Sequence, residues 1–215
     1  MKRLLRLSLL ALAFLMPAAT LHATPIELVV NGEFETPNTG GAHTMLGNSD
    51  VTGWSGTDGL EIWNQGAYTS PTVGSDGLAT GQHLEIAKYF VSDVAMQVTG
   101  AISEDGFLDF SFDAWGRNAS GVKYSLTGSE SGLLASGDHY FSGPANDWEA
   151  ISLTGLSVLA DDTFTLWFQS IGGGSSGAHI DQVSLLYSPV PEPSTIMLFG
   201  LGLVGLAGVH RKRKV

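Results

Sequence analysis

Leu108-Asp109-Phe110-Ser111-Phe112-Asp113 alternates apolar and polar residues without a break, and Phe164-Thr165-Leu166-Trp167-Phe168-Gln169 repeats the pattern. A period of two puts Leu108, Phe110 and Phe112 on one face of a strand, and Phe164, Leu166 and Phe168 on one face of another. Val122, Tyr124 and Leu126 follow the same rule, as do Val183, Leu185 and Tyr187. Gly, Asn, Asp and Ser clusters punctuate the gaps. No window between residues 23 and 194 sustains a helical period for three turns. The pattern predicts an all-β protein, an antiparallel β-sandwich of about eight to ten strands. With no internal repeat and no central linker, residues 24–188 read as one domain.

Composition agrees. The chain has 215 residues, 28 glycines and no cysteine. Glycine stands well above its ~7% average usage while apolar content is ordinary, which marks a turn-rich globular domain that needs no disulfides. Between Thr24 and Val190 only Lys88, Arg117 and Lys123 stand against 20 of the chain's 21 acids. Such a surface repels phosphate backbones and argues against a nucleic-acid partner.

The two ends read as processing signals. Residues 1–23 have a basic start, an apolar run from Leu9 to Met16 and small residues before Ala23, the pattern of a secretory signal peptide. After Tyr187 the chain enters Ser188-Pro189-Val190-Pro191-Glu192-Pro193-Ser194-Thr195, whose three prolines stop any strand or helix. An uncharged stretch follows at 196–209, then Arg211-Lys212-Arg213-Lys214. As a helix the stretch rises about 21 Å against a hydrocarbon core of about 30 Å, so it predicts a short, transient transmembrane anchor with a cytoplasmic basic end.

Val190-Pro191-Glu192-Pro193, the apolar stretch and the basic tail together resemble the PEP-CTERM sorting signal of Gram-negative bacteria, here spanning residues 189–215. The resemblance implies export, cleavage by an exosortase and delivery to the cell surface or extracellular matrix. A second resemblance covers the domain. Leu28-Val29-Val30-Asn31-Gly32-Glu33-Phe34-Glu35, Gly53-Trp54 and Ala178-His179-Ile180-Asp181-Gln182-Val183-Ser184-Leu185 are similar to the opening and closing strands of galactose-binding-like jelly rolls, a group that includes carbohydrate-binding modules. It implies a jelly-roll sandwich and a structural calcium ion, with Glu35, Asp181 and a backbone oxygen near His83 at the matching positions. Calcium suits them because it takes carboxylate and carbonyl oxygens together.

Sugar recognition needs aromatic faces and polar groups side by side. Trp54, Asp58, Glu61, Trp63, Asn64 and Tyr68 gather both in one stretch, and residues 54–68 are the first choice for a glycan-binding site, although Trp54 also reads as a core anchor. Trp167 has the opposite parity to its apolar neighbours and is expected on an outer face. Catalysis has little support. His43, His83, His139 and His179 show no zinc spacing, no nucleophile elbow occurs, and the adjacent acid pairs read as solvated turns. The expectation is a non-catalytic surface protein that binds extracellular polysaccharide or cell-wall glycan. A matrix or floc-forming role without sugar specificity is the alternative, and a glycoside hydrolase a distant third.

Overall fold

In a computed structural model, the structure describes residues 24–67, 77, 81–86, 90, 93–142, 147–190 and 202. The signal peptide at 1–23, Tyr68, Pro191, Glu192, Pro193 and all of the anchor at 196–209 except Gly202 lie outside the described residues. Among those described, no helix is long and apolar enough to cross a membrane.

Pro25–Val190 forms one compact unit. Its strands are β1 (Ile26–Glu27), β2 (His43–Leu46), β3 (Ser55–Gly56), β4 (Leu60–Asn64), β5 (Gln82–Glu85), β6 (Val94–Val98), β7 (Gly106–Gly116), β8 (Gly121–Gly128), β9 (Gly132–Tyr140), β10 (Glu149–Val158), β11 (Phe164–Ile171) and β12 (Ala178–Pro189). Twelve strands among the described residues exceed the expected eight to ten, partly because β1 and β3 are two-residue pairings too short to leave a periodic signal. The pairs are antiparallel and make two sheets. One runs β10-β7-β12-β5-β4-β2 with β1 added beside β12, and the other runs β3-β6-β11-β8-β9.

The alternating segments sit at the centre of this sandwich. Phe110 of β7 lies opposite Leu185 of β12, and Leu166 and Phe168 of β11 face Leu126 and Tyr124 of β8 across the second sheet. Between the sheets Phe112 meets Phe168 edge-on at 5.0 Å. Phe34, Leu108, Phe110, Phe112, Phe164, Leu166 and Phe168 are all essentially inaccessible. Each such side chain contributes about 1.5–3 kcal/mol through its removal from water.

The Asn31-Gly32-Glu33-Phe34-Glu35 stretch forms the loop that closes one end of the core. Asn31, in a left-handed conformation (φ 54°), donates from Nδ2 to the carbonyls of Thr36 and Thr52 and accepts from the Thr36 N–H at Oδ1. Gly32 is obligatory, since a Cβ there would stand 1.9 Å from the Val183 carbonyl oxygen. The Val183 N–H donates to the Gly32 carbonyl, so this loop is stitched directly to β12.

Candidate binding face

Register decides which side chains share the outer face of the larger sheet. Ile62, Leu84, Ile180 and Ala114 occupy matching positions on β4, β5, β12 and β7 and point into the core. Their neighbours along each strand must point the other way. This builds two rows across the outer face. Glu61, Glu85, His179 and Trp115 form one, and His43, Trp63 and His83 form the other. An outward row of an antiparallel sheet is ordinarily polar and wet. These rows are covered instead: His83, Glu85 and His179 have no accessible surface, and Trp63, Glu61 and Trp115 have almost none.

The aromatic members enclose the polar ones. Trp63 stacks on His43 at 5.1 Å and meets His179 edge-on at 5.4 Å. Trp115 lies 4.4 Å from His179, and Trp148, just before β10, stands edge-on to His83 at 5.4 Å. The two imidazoles are 5.0 Å apart. Arg117, at the end of β7, lays its guanidinium over Trp63 at 4.8 Å, donates to Ser176 Oγ at 2.7 Å and reaches Glu85 Oε2 at 3.5 Å.

Charge in this enclosure is scarce. Burial lowers the pKa of His83 to about 3, and burial with the nearby His83 and Arg117 holds His179 well below its ordinary value, so both rings are neutral. Burial and the facing Glu61 raise Glu85 to about 8, against the opposing pull of Arg117 and the Gly177 N–H. Glu61 is itself paired with His43 Nδ1 at 2.6 Å. Among the described residues, both ring nitrogens of His83, both of His179 and the indole N–H of Trp148 are buried with no hydrogen-bond partner. Each unsatisfied group costs on the order of 1–3 kcal/mol, and five around one spot form a concentrated demand for a polar ligand.

The residues of the 54–68 stretch separate in space. Trp54 is buried in the core, 5.0 Å from Phe34 and 6.0 Å from Phe168, and its indole N–H donates to the Asn31 carbonyl. It therefore anchors the Asn31 loop rather than meeting a ligand, which corrects its assignment to the glycan set. Asp58 is exposed in the connection from β3 to β4, whereas Glu61 and Trp63 stand in the enclosed rows. Asn64 donates to the carbonyls of Thr39 and Gly41, fixing the approach to β2. Trp167 lies opposite Met96 and Ser125 on the outer face of the other sheet, so it and Trp63 serve opposite sides of the sandwich and share no site. The face also holds Trp115 and Trp148, two further tryptophans of the kind sugar recognition needs, and adds His83, Glu85, Arg117 and His179, which no local pattern ties to Trp63.

The calcium positions fare differently from one another. Glu35 Oε1 accepts from the Gln82 N–H at 2.6 Å, and Asp181 Oδ1 accepts from the Gln182 N–H at 2.8 Å. The His83 ring belongs to the tryptophan enclosure. Among the described residues no three His, Asp or Glu side chains gather as metal ligands, so an ion at Glu35 would draw on backbone oxygens.

Comparison with known proteins places these observations. Residues 189–213 match the PEP-CTERM protein-sorting motif, the address of an exported, exosortase-sorted surface protein. No curated protein matches the sequence. The fold is similar to that of a Stig cyclase, Fisc, from Fischerella sp. TAU, solved in complex with (3Z)-3-(1-methyl-2-pyrrolidinylidene)-3H-indole. The TM-score is 0.58 at 14% identity, covering 78% of this chain and 100% of that one. A CBM4 structure aligns at a TM-score of 0.42 and 14% identity, over 74% of this chain and 99% of that one. A family 35 carbohydrate binding module from Clostridium thermocellum aligns at 0.38 and 12% identity, over 69% and 98%. The likeness to the cyclase, at 14% identity, is one of fold alone and leaves the chemistry to the side chains.

Proposed function

We propose that this is a surface protein of a Gram-negative bacterium, made as a membrane-anchored precursor and released by an exosortase, whose β-sandwich binds neutral glycans through the outer face of its larger sheet. The observation that carries the reading is the group of unpartnered polar atoms on His83, His179 and Trp148, set among Trp63, Trp115 and Trp148. A sugar offers apolar C–H faces and hydroxyls that both donate and accept, which is the combination these groups lack. Neutral imidazoles also each offer one donor and one acceptor, so an uncharged polyol satisfies them without a new buried charge.

A glycan array probed with the protein and with its Trp63→Ala variant tests the reading. Binding to neutral oligosaccharides that Trp63→Ala removes, with the fold intact by circular dichroism, is expected. Equal binding by both proteins would move the site elsewhere, and no binding by either would favour a matrix role without sugar specificity.

Calcium is a separate part of the proposal. Glu35 borders a groove of about 410 Å³ with Glu27, Asn31, Glu33, Gln182 and Val183, next in sequence to Asp181. An ion bound there stabilises the native state by mass action, so the thermal midpoint rises with calcium over its value in EGTA. An unchanged midpoint removes the ion from the account.

A further inference from the structure

We propose that the outer face of the smaller sheet docks a second copy of this chain, so that two sandwiches pack back to back and their larger sheets face outward in opposite directions.

Register builds the face. Ser55 of β3, Met96 of β6, Trp167 of β11, Ser125 of β8 and Ser136 of β9 are successive cross-strand partners. They lie away from the core because Ala95, Leu126, Leu166 and Phe168, their neighbours along the strands, point into it. The next row runs from Val98 through Thr165 and Thr127 to Leu133. Val98 and Leu133 are 64% and 65% exposed, and Trp167 and Met96 are half-buried at the centre. Apolar side chains thus stand in a frame of hydroxyls, on a sheet that no further layer covers among the described residues. An uncovered apolar patch with a polar surround marks an interaction site.

Three observations select a second copy as its occupant. The first is charge. Between Thr24 and Val190, 20 acids stand against Lys88, Arg117 and Lys123, so the domain as a whole repels its own kind. Among the described residues, the outward strand positions of this face carry one acid, Asp138, and its cross-strand partner is Lys123. The two cancel, which makes the face neutral on an acidic molecule. The second is chemistry. An interface between identical copies must complement itself. Hydroxyls both donate and accept, so the serines and threonines of one copy satisfy those of the other. Trp167 and Met96 supply the aromatic and thioether surface in which interface centres are rich.

The third is area. The four longer strands have five to nine residues, about 25 Å on average at about 3.3 Å per residue, and five strands about 4.8 Å apart span about 24 Å. Two such faces in contact bury roughly 1,200 Å² in total, above the ~1,000 Å² expected of a specific interface. Each dimer then presents two copies of the face that carries Trp63, so it links two polymer chains. That consequence rests on the glycan reading, and the dimer itself does not.

Sedimentation velocity of the purified full chain in detergent micelles, over a concentration series in EGTA at low and high salt, tests the proposal. The expected result is a concentration-dependent dimer that persists in EGTA and tightens as salt screens the acidic surfaces. Trp167→Glu weakens it by about thirtyfold or more, the effect of losing a central anchor. Val98→Asp, at a site already exposed and so harmless to the fold, weakens it too, and it decides the matter alone if Trp167→Glu does not fold. Ser152→Asp, on the exposed outer side of the larger sheet, leaves the dimer unchanged. A monomer at every concentration overturns the proposal and leaves the face to another occupant. A dimer that EGTA dissolves overturns it in favour of cation bridging, and one that both face variants leave intact overturns it in favour of the anchor or another surface.

Discussion

Raising the pH from 6.5 to 8 sets one buried carboxyl against two buried imidazoles in this fold. Glu85 has its pKa raised from 4.5 in the unfolded chain to about 8 in the native state. Between those values the native protein holds a proton that the unfolded chain has released. Stability therefore falls as pH rises through that window, the reverse of the usual carboxylate. His83, lowered from 6.5 to about 3, and His179, lowered in the same direction, act oppositely: the native state refuses protons that the unfolded chain binds below 6.5, so stability falls as pH drops below that point. At 6.5 the unfolded chain's imidazoles are half protonated, and their loss of those protons by pH 8 returns about 0.4 kcal/mol each. At about 1.4 kcal/mol per pH unit, tapering as Glu85 becomes half ionised, the rise from 6.5 to 8 costs about 1.6 kcal/mol through Glu85, so the wild type falls by about 0.8 kcal/mol net. Urea unfolding at a series of pH values, monitored by tryptophan fluorescence, reads this as a declining midpoint at constant slope. Glu85→Gln turns the decline into a rise of about 0.8 kcal/mol, the part due to the two imidazoles. A wild-type curve flat from 6.5 to 8, or an equal decline in Glu85→Gln, would refute the argument that burial and the facing Glu61 hold a proton on Glu85 here.

Other substitutions separate scaffold from site. Trp54→Ala removes a core side chain packed on Phe34 and Phe168 together with the bond to the Asn31 carbonyl, and should cost about 3–5 kcal/mol in denaturant unfolding while leaving glycan affinity of the folded fraction unchanged. Gly32→Ala forces a methyl group to within 1.9 Å of the Val183 carbonyl oxygen, so the loop must part from β12 and the thermal midpoint should fall sharply; a normal midpoint would show that the stitch is dispensable.

The strands that carry the core were legible because their alternation is strong and local. Phe110, Phe112 and Phe168 announce their common side by spacing alone. Trp54 and Trp63 show where such reading stops. Nine residues apart and equally aromatic, they go to opposite sides of the large sheet, since Trp54 precedes β4 in a turn whose direction the period does not set. Trp63, on the strand itself, shares parity with Glu61. The same parity in Gln82-His83-Leu84-Glu85 marks His83 and Glu85 as outward, a signal present in the sequence. Their meeting with His179 and Trp115 depends on β5 pairing with β12 and β12 with β7, contacts between distant segments that no local pattern specifies. Trp167 was placed on an outer face by the same parity rule, but which sheet it belongs to required the topology.

The chain holds five tryptophans, Trp54, Trp63, Trp115, Trp148 and Trp167, and so five indole N–H resonances. Following those five signals by NMR while a neutral oligosaccharide is added measures directly where a glycan sits. The account predicts that Trp63, Trp115 and Trp148 shift together and saturably, while Trp54 in the core and Trp167 on the far sheet stay in place. A shift confined to Trp167, or none among Trp63, Trp115 and Trp148 with a glycan known to bind, would contradict it.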